Sequence, residues 1–226
     1  MCEAMIREDV EVAIFGSVAR GENDAKSDLD VIAVVNNASG ISKEALRSEI
    51  QSFFNERIGL SIYGRRRIEA MWEDGSPFAW HLYSQARPIK GFRSDFLTDF
   101  GAPSSYENER ADCLMMRDIA TSSEARLSGR VLGCECYEAG LLYVAARNVG
   151  MFSSLRISGE FNFSRMAPYA LPGKFSLPLD SGVYKSLIEA RHASNRGYSI
   201  PDLNGRVLAE CAKTICHWID NILKGG

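Results

Sequence analysis

The stretch VAIFGSVARGENDAKSDLDVIAVV, residues 12–35, decides the fold of the first part of this 226-residue chain. It begins and ends with apolar runs, Val12–Phe15 and Val31–Val35. Short apolar runs bounded by turn residues are typical of buried strands. The stretch therefore predicts two buried strands, with a turn and a short polar loop between them.

Two acids open the second of these runs. Asp28 and Asp30 lie two residues apart, and side chains alternate along a strand. Both carboxylates should therefore point to one face, roughly 7 Å apart along the backbone. Beside them, a turn at Gly16 and Ser17 lets a phosphate approach the backbone closely. A helix that begins just after Gly16 would present free N–H groups and its positive dipole end to that phosphate.

These features together predict a site for a metal ion and a nucleotide. Carboxylate oxygens are the ligands that Mg²⁺ prefers, and substrate phosphates usually complete its coordination. Such a site can hold two ions that stabilise the attacking and leaving oxygens of an in-line displacement. Arg20, one turn into the predicted helix, is a candidate for additional positive charge. The chemistry is that of phosphoryl or nucleotidyl transfer from a nucleoside triphosphate (NTP).

The composition limits the classes of protein and of partner. The length suggests one large domain or two small ones, and the net charge of -3 provides no basic excess to neutralise the phosphates of a nucleic acid. The segment Met1–Asp9 lacks the apolar core of an export signal, and no apolar run approaches the length of a membrane span. The cysteines do not form paired zinc-binding motifs. We therefore expect a cytoplasmic protein that uses neither a membrane nor a nucleic acid as a partner.

Patterns after residue 35 predict helices alternating with strands. Ser42 should cap a helix that runs to about Arg57, because four apolar residues fall on one helical face. Ser76 followed by Pro77 is a typical helix start. The other predicted elements are a third strand at Ile58–Tyr63, a helix around Ile68–Trp72, the end of the Ser76 helix near Ser84, a short strand at Arg87–Lys90 and a connector at 91–104.

From residue 105 onward the pattern is helical. Ser104 and Glu107 fit a capping box, and Gly150 and Gly197 stand where helix C-caps are expected. The predicted helices span 105–126, 131–149, 181–196 and 203–223, with an irregular crossover at 151–180. The fold class is therefore predicted as α+β, with a small mixed β-sheet domain and flanking helices at 1–93, followed by an all-α helical bundle at 104–226.

Three motifs together resemble the GSxARG…SDxD signature of the DNA polymerase beta-like nucleotidyltransferase superfamily. They are Gly16-Ser17, Ala19-Arg20-Gly21 and Ser27-Asp28-Leu29-Asp30. The resemblance covers roughly residues 10 to 91. More loosely, the helical half resembles the HEPN-like bundles that follow such domains in kanamycin nucleotidyltransferase and in fused minimal nucleotidyltransferases.

The resemblance implies a nucleotidyltransferase that uses Mg²⁺ or Mn²⁺ and an NTP, with ATP as the expected nucleotide. It implies that Gly16, Ser17, Arg20 and Ser27 bind the nucleotide and that Asp28 and Asp30 bind the metal. Nucleoside monophosphate would pass to a hydroxyl group of a small molecule or a protein. A homodimer is a further expectation from the same resemblance.

The chain departs from the family at one catalytic position. The family usually places a third acid on the later strand, whereas this strand carries Gly59 and Ser61 at the two candidate places. Two interpretations follow. Either the site is catalytically degenerate, and the protein is a nucleotide-binding or antitoxin-like module, or an acid from the helical half completes the site.

Two acids of the helix predicted at 131–149 are candidates for that missing group. Glu135 and Glu138 fall on an otherwise apolar stripe, where a carboxylate is costly unless it is paired, solvated or bound to a metal. A carboxylate with a raised pKa in such a place could act as a general base. Alternatively, the carboxylates pair with Arg147 or another arginine, or this stripe of the helix is simply exposed to solvent. No feature of the sequence chooses between these interpretations.

Overall fold

A computed structural model of the chain describes residues 9–19, 21, 29–36, 42–55, 58–129, 134–198, 200 and 203–225, apart from the side chain of Ser17. The chain forms two compact units, Met1–Glu107 and Asn108–Gly226. The first contains a small mixed sheet with flanking helices, and the second is mostly helical, which confirms the predicted fold class. The domain limits 1–93 and 104–226 stay a prediction.

In the described part of the first unit, the sheet has four strands in the order β3-β2-β1-β4. Strand β1 pairs antiparallel with β2 and β4, and β2 pairs parallel with β3. The three strands predicted first are confirmed, and the fourth is shorter than predicted. Their bounds are Val10–Phe15 (β1), Leu29–Val35 (β2), Ile58–Gly64 (β3) and Arg87–Pro88 (β4).

The two faces of this sheet bury separate apolar clusters, because side chains alternate along each strand. Each fully buried aliphatic or aromatic side chain contributes about 1.5–3 kcal/mol to folding. One cluster includes Val10, Val12, Val31, Leu46 and Ile50. The other includes Ala13, Ile32, Val34, Ile68, Trp72 and Leu82.

Two helices of the first unit begin where the sequence predicts, whereas the helix predicted around Ile68–Trp72 begins at Arg65 and Phe96–Asp99 was not predicted. Ser42 and Ser76 cap their helices, and their hydroxyl oxygens accept hydrogen bonds from Ala45 N (3.1 Å) and Ala79 N (3.2 Å). The helix after Ser42 ends at Ser52 rather than near Arg57, and its Gln51 side chain accepts a hydrogen bond from Ile58 N (3.3 Å), the first amide of β3. The helices are Gly16–Ala19 (α1), Lys43–Ser52 (α2), Arg65–Glu73 (α3), Pro77–Gln85 (α4) and Phe96–Asp99 (α5).

The segment predicted as a connector, residues 91–104, is bonded to the first unit. Val12 N donates to Arg93 O (2.7 Å), Phe96 N donates to Glu11 Oε2 (2.6 Å), and the Trp72 indole donates to a backbone carbonyl (3.0 Å). The segment is therefore part of the first unit and pairs with β1 at Glu11.

The second unit contains the helices α6 to α10. They are Glu109–Ser128 (α6), Glu135–Ser158 (α7), Ala167–Ala170 (α8), Ser181–Arg196 (α9) and Gly205–Lys224 (α10). Helix α6 packs against α7 and α10, and α7 also packs against α9. None of the described helices contains an apolar stretch long enough for a bilayer crossing.

One predicted capping motif of the second unit is wrong. Helix α6 begins at Glu109, after Asn108, and not behind a Ser104–Glu107 capping box. The reason is that Ser104 is bonded to the first unit. Its amide donates to Trp72 O (3.0 Å), and its carbonyl accepts from the Trp80 indole (3.0 Å).

The predicted C-caps of this unit have different outcomes. Gly197 ends α9 in the left-handed conformation (φ 74°), as predicted. Gly150 instead lies inside α7, which continues to Ser158, so the crossover begins later than residue 151. A Cβ at Gly150 would lie 2.6 Å from Pro168 N. The glycine is therefore needed for close packing of the crossover on the helix rather than for ending it. The predicted start of this helix at 131 lies outside the described residues.

Candidate functional site

Asp30 is the predicted metal ligand that the structure describes. It is the second residue of β2, and it is in register with Phe15 at the end of β1 and with Gly59 in β3. A Cβ placed on Gly16 would clash with Asp30 Oδ2, and a Cβ placed on Gly59 would lie 3.2 Å from Asp30 Oδ1. The half-buried carboxylate is therefore held between two backbone positions that carry no side chain.

Gly16 also provides the turn that brings the end of β1 to this carboxylate. Its φ of 78° is in the left-handed region, which favours glycine. Helix α1 begins at this residue, directly after β1. The turn and the acid thus stand side by side.

Other predicted ligand-binding residues lie outside the described part of the chain. These are Arg20, Ser27, Asp28 and the side chain of Ser17. Of the predicted site, the structure therefore brings together Gly16 and Asp30. Among the described residues, no three acidic, histidine or cysteine side chains come together as a metal-binding group. The carboxylate of Asp30, with no Cβ on either side of it, is a donor of the type that Mg²⁺ prefers.

Strand register shows which residue occupies the place beside Asp30 on β3. Asp30 pairs with Gly59, whereas Ser61 pairs with Ile32, two residues farther along β2. Paired residues of neighbouring strands point to the same face. Gly59 is therefore the residue whose side chain would stand next to the Asp30 carboxylate, and this position holds no acid.

We expect Gly16→Ala to disrupt this arrangement more than a substitution at a second glycine with a similar backbone. Gly21 also has a positive φ (73°), but a Cβ there would meet nothing within 4 Å. Gly21→Ala should therefore lower the free energy of unfolding by about 1 kcal/mol, through backbone strain alone. Gly16→Ala should lower it by about 3 kcal/mol, because the new Cβ also displaces Asp30. Urea denaturation of both variants measures the difference, and equal losses would show that the Asp30 contact is unimportant.

Glu138 forms a buried ion pair within the helical unit. Its side chain is 2% exposed, and its two oxygens accept hydrogen bonds from Arg126 Nε (2.5 Å) and Nη2 (2.9 Å). The hydrogen bond to Glu138 raises the pKa of Arg126. Of the interpretations that the sequence left open for Glu138, the structure therefore shows the pair with an arginine, and that arginine is Arg126. Arg147 donates instead to Phe163 O (2.9 Å).

Glu135, the other candidate base, is the first residue of α7 and is half-buried. The free amides at a helix start stabilise a carboxylate there. A Cβ at Gly205 would lie 3.8 Å from Glu135 Oε1, so α10 also begins next to this carboxylate. A catalytic role for either glutamate stays a prediction.

If Glu138 stabilises the helical unit through its ion pair with Arg126, removal of Arg126 should destabilise this unit. Removing the guanidinium with Arg126→Ala would leave a buried carboxylate without this partner, which should destabilise the helical unit. Because Arg126 is 43% exposed, we expect a loss of about 1–2 kcal/mol rather than the larger cost of a fully buried pair. Thermal denaturation measures this loss, with the exposed Arg206→Ala as the control. Equal stability of the two variants would contradict the structural role.

Three arginines act electrostatically on Tyr143, a buried residue of α7. Burial raises the pKa of Tyr143, and Arg147, Arg165 and Arg191 act in the opposite direction. Arg165 is held by the Tyr184 hydroxyl, which donates to its carbonyl (3.0 Å). The arginines belong to α7, the crossover and α9, which are distant in sequence. The sequence alone could therefore indicate only that Tyr143 and Arg147, four residues apart, lie on the same side of one helix.

Comparisons with known proteins agree with this geometry. Residues 2–69 match the sequence model of a family described as Nucleotidyltransferase domain. The match confirms the resemblance to the DNA polymerase beta-like nucleotidyltransferases for the N-terminal part of the chain. No curated protein sequence matches the chain significantly.

A solved structure is similar to nearly the whole chain. It is a crystal structure of spectinomycin adenyltransferase AAD(9) from Enterococcus faecialis with ATP and spectinomycin. The TM-score is 0.50 at 16% sequence identity, and the alignment covers 96% of this chain and 94% of that one. At this level of identity the likeness concerns the fold alone. The HEPN-like character of the helical unit stays a prediction.

Proposed function

We propose, from the premise that residues 2–69 carry a nucleotidyltransferase domain, that this protein transfers a nucleoside monophosphate from an NTP to a hydroxyl group. The expected nucleotide is ATP, the acceptor is a small molecule or a protein, and pyrophosphate is released. The observation that carries the proposal is the Asp30 carboxylate, held between Gly16 and Gly59 beside the turn of β1 and α1.

Asp30 and Asp28 would hold Mg²⁺ or Mn²⁺, because carboxylate oxygens suit these hard ions. When bound, the ion would neutralise charge on the phosphate oxygens during the displacement. Gly16 lets the triphosphate approach the backbone, and we assign Ser17, Arg20 and Ser27 to the same phosphate chain. This assignment rests on the match of residues 2–69 and on the turn at Gly16.

The remaining role is assigned to the helical unit. The proton of the acceptor hydroxyl needs a base, and we propose Glu135 ahead of Glu138, because Arg126 binds both oxygens of Glu138. A homodimer stays a prediction.

Gly59 favours a second candidate function. With no acid beside Asp30 on β3, the protein could bind a metal–NTP complex without transferring the nucleotide. It would then act as a nucleotide-binding or antitoxin-like protein.

One experiment separates the two candidates. The protein is incubated with each labelled NTP and Mg²⁺ or Mn²⁺, together with candidate hydroxyl acceptors, of which spectinomycin is the first choice because the similar structure holds it. Pyrophosphate release and the mass of each acceptor, including the protein itself, are measured. Release with a labelled acceptor supports the enzyme, whereas tight binding of metal and NTP without release supports the binding protein.

A further inference from the structure

A cavity of about 220 Å³ opens on the first unit at the C-terminal end of α3. It uses none of the residues assigned to the nucleotide, so it is independent of the proposed function. Its walls come from α3 and from the segment that follows α5. The lining residues are Glu69, Trp72, Glu73, Phe100, Ala102 and Ser104.

One side of this cavity is aromatic and is fixed in position. The rings of Trp72 and Phe100 meet edge to face, with centroids 5.5 Å apart. Hydrogen bonds hold Trp72 at both its side chain and its backbone, since its indole donates to Gly101 O (3.0 Å) and its carbonyl accepts from Ser104 N (3.0 Å). A preformed aromatic wall attracts cations through the negative potential over the ring faces.

The other side of the cavity is negative. Glu69 and Glu73 are four residues apart on α3, so their carboxylates lie on the same side of the helix. Helix α3 ends at Glu73, and the C-terminal end of a helix carries partial negative charge. Two carboxylates, a helix end and two aromatic rings together complement an organic cation.

The chain itself contains an example of this recognition beside the cavity. The Arg65 guanidinium lies over the Phe100 ring, 4.7 Å from its centroid. It also donates to Glu69 Oε1 (3.3 Å) and to Asp99 Oδ2 (2.9 Å). A lining ring and a lining carboxylate thus already hold one guanidinium, while Glu73 is exposed and Trp72, at 4% exposure, forms only a small part of the wall.

We propose that this cavity binds an organic cation, a guanidinium or alkylammonium group, carried by a small molecule or by a side chain of a basic peptide. Its N–H groups would donate to the Glu73 and Glu69 carboxylates, and its flat face or methylene groups would pack on Phe100 and on the small exposed part of Trp72. The shared chemistry is the cationic head group, and the two sources differ in what lies outside the cavity.

The test measures binding of arginine amide to the full chain by calorimetry and by tryptophan fluorescence. Both ligands carry an acetylated α-amino group, and citrulline amide, whose side chain is neutral and has nearly the same shape, is the ligand control. Glu73→Gln removes one lining carboxylate, and Glu44→Gln on α2 is the matched control for an exposed glutamate. We expect saturable binding of arginine amide, no binding of citrulline amide, and an affinity about fivefold weaker in Glu73→Gln but unchanged in Glu44→Gln.

Each other outcome overturns the proposal: no saturable binding, equal binding of citrulline amide, or equal affinities in the two glutamine variants. A tri-arginine peptide distinguishes the sources. Tighter binding of the peptide than of arginine amide supports a peptide side chain, and equal binding supports a small molecule.

Discussion

Replacing Asp30 with asparagine is expected to lower the rate of pyrophosphate release by about a thousandfold. The substitution removes one negative charge from the proposed metal site but keeps the size and shape of the side chain. The spaces at Gly16 and Gly59, which accommodate the Asp30 side chain, therefore stay filled. The expected effect is on metal and nucleotide binding rather than on the fold of the sheet.

The measurement compares Asp30→Asn with the wild type and with Asp74→Asn. Asp74 is exposed at the C-cap of α3, so its substitution controls for the loss of one negative charge from the same unit. Circular dichroism and thermal denaturation verify that all three proteins are folded. A wild-type rate in Asp30→Asn would contradict the proposed metal site directly.

The same variant is informative if the wild type transfers no nucleotide. A ligand that binds only the native state raises the melting temperature. Metal and NTP together should therefore stabilise the wild type and Asp74→Asn but not Asp30→Asn. Loss of this stabilisation with no turnover in any protein would support the nucleotide-binding candidate and retain the role of Asp30.

Local patterns were sufficient to predict most of the elements around Asp30. The apolar runs before Gly16 and after Asp30 form β1 and β2, and the serines at 42 and 76 cap helices with their own side chains. These features depend on contacts between residues close in sequence. Such contacts can be inferred without knowledge of the tertiary structure.

Long-range packing explains where the sequence predictions were wrong. Gly150 is of the residue type that is typical of a helix C-cap. In the structure it lies inside α7 instead, where the missing side chain lets Pro168 approach the helix closely. Ser104 is of the residue type that is typical of a helix N-cap. In the structure its backbone amide and carbonyl are hydrogen-bonded to Trp72 and Trp80 of the first unit instead. In each case a residue distant in sequence determines the role.

The candidate site was predictable only in part for the same reason. The acids and the glycine turn are visible in one stretch, whereas the choice between Gly59 and Ser61 depends on the register of β2 and β3. Likewise, the sequence places Glu138 on an apolar stripe, but only the packing of α6 against α7 shows that Arg126 is its partner.

Introducing an acid beside Asp30 should have the opposite effect to removing Asp30. Gly59→Asp would place a carboxylate on the same face of the sheet, in register with Asp30. Its Cβ would lie 3.2 Å from Asp30 Oδ1, which is close but can be relieved by a small movement of that flexible side-chain end. The new carboxylate could serve as a metal ligand and as a base for the acceptor hydroxyl. We expect turnover to rise by about a hundredfold, the lower range of general-base effects.

Without a metal ion, the same substitution should destabilise the protein. Two carboxylates side by side repel each other, which should cost about 1–2 kcal/mol of folding free energy. A divalent cation bound between them would relieve this repulsion. The melting temperature of Gly59→Asp should therefore rise more steeply with Mg²⁺ than that of the wild type.

Gly59→Asn is the matched control, because it adds nearly the same volume at the same position without a charge. Pyrophosphate release and the Mg²⁺ dependence of the melting temperature are measured for the wild type and both variants. If Gly59 occupies the place of a missing catalytic acid, only the aspartate variant gains activity and metal-dependent stability. Equal behaviour of the aspartate and asparagine variants would mean that a carboxylate at this place on β3 has no catalytic role, and the base would then have to be sought among the acids of the helical unit, with Glu135 first.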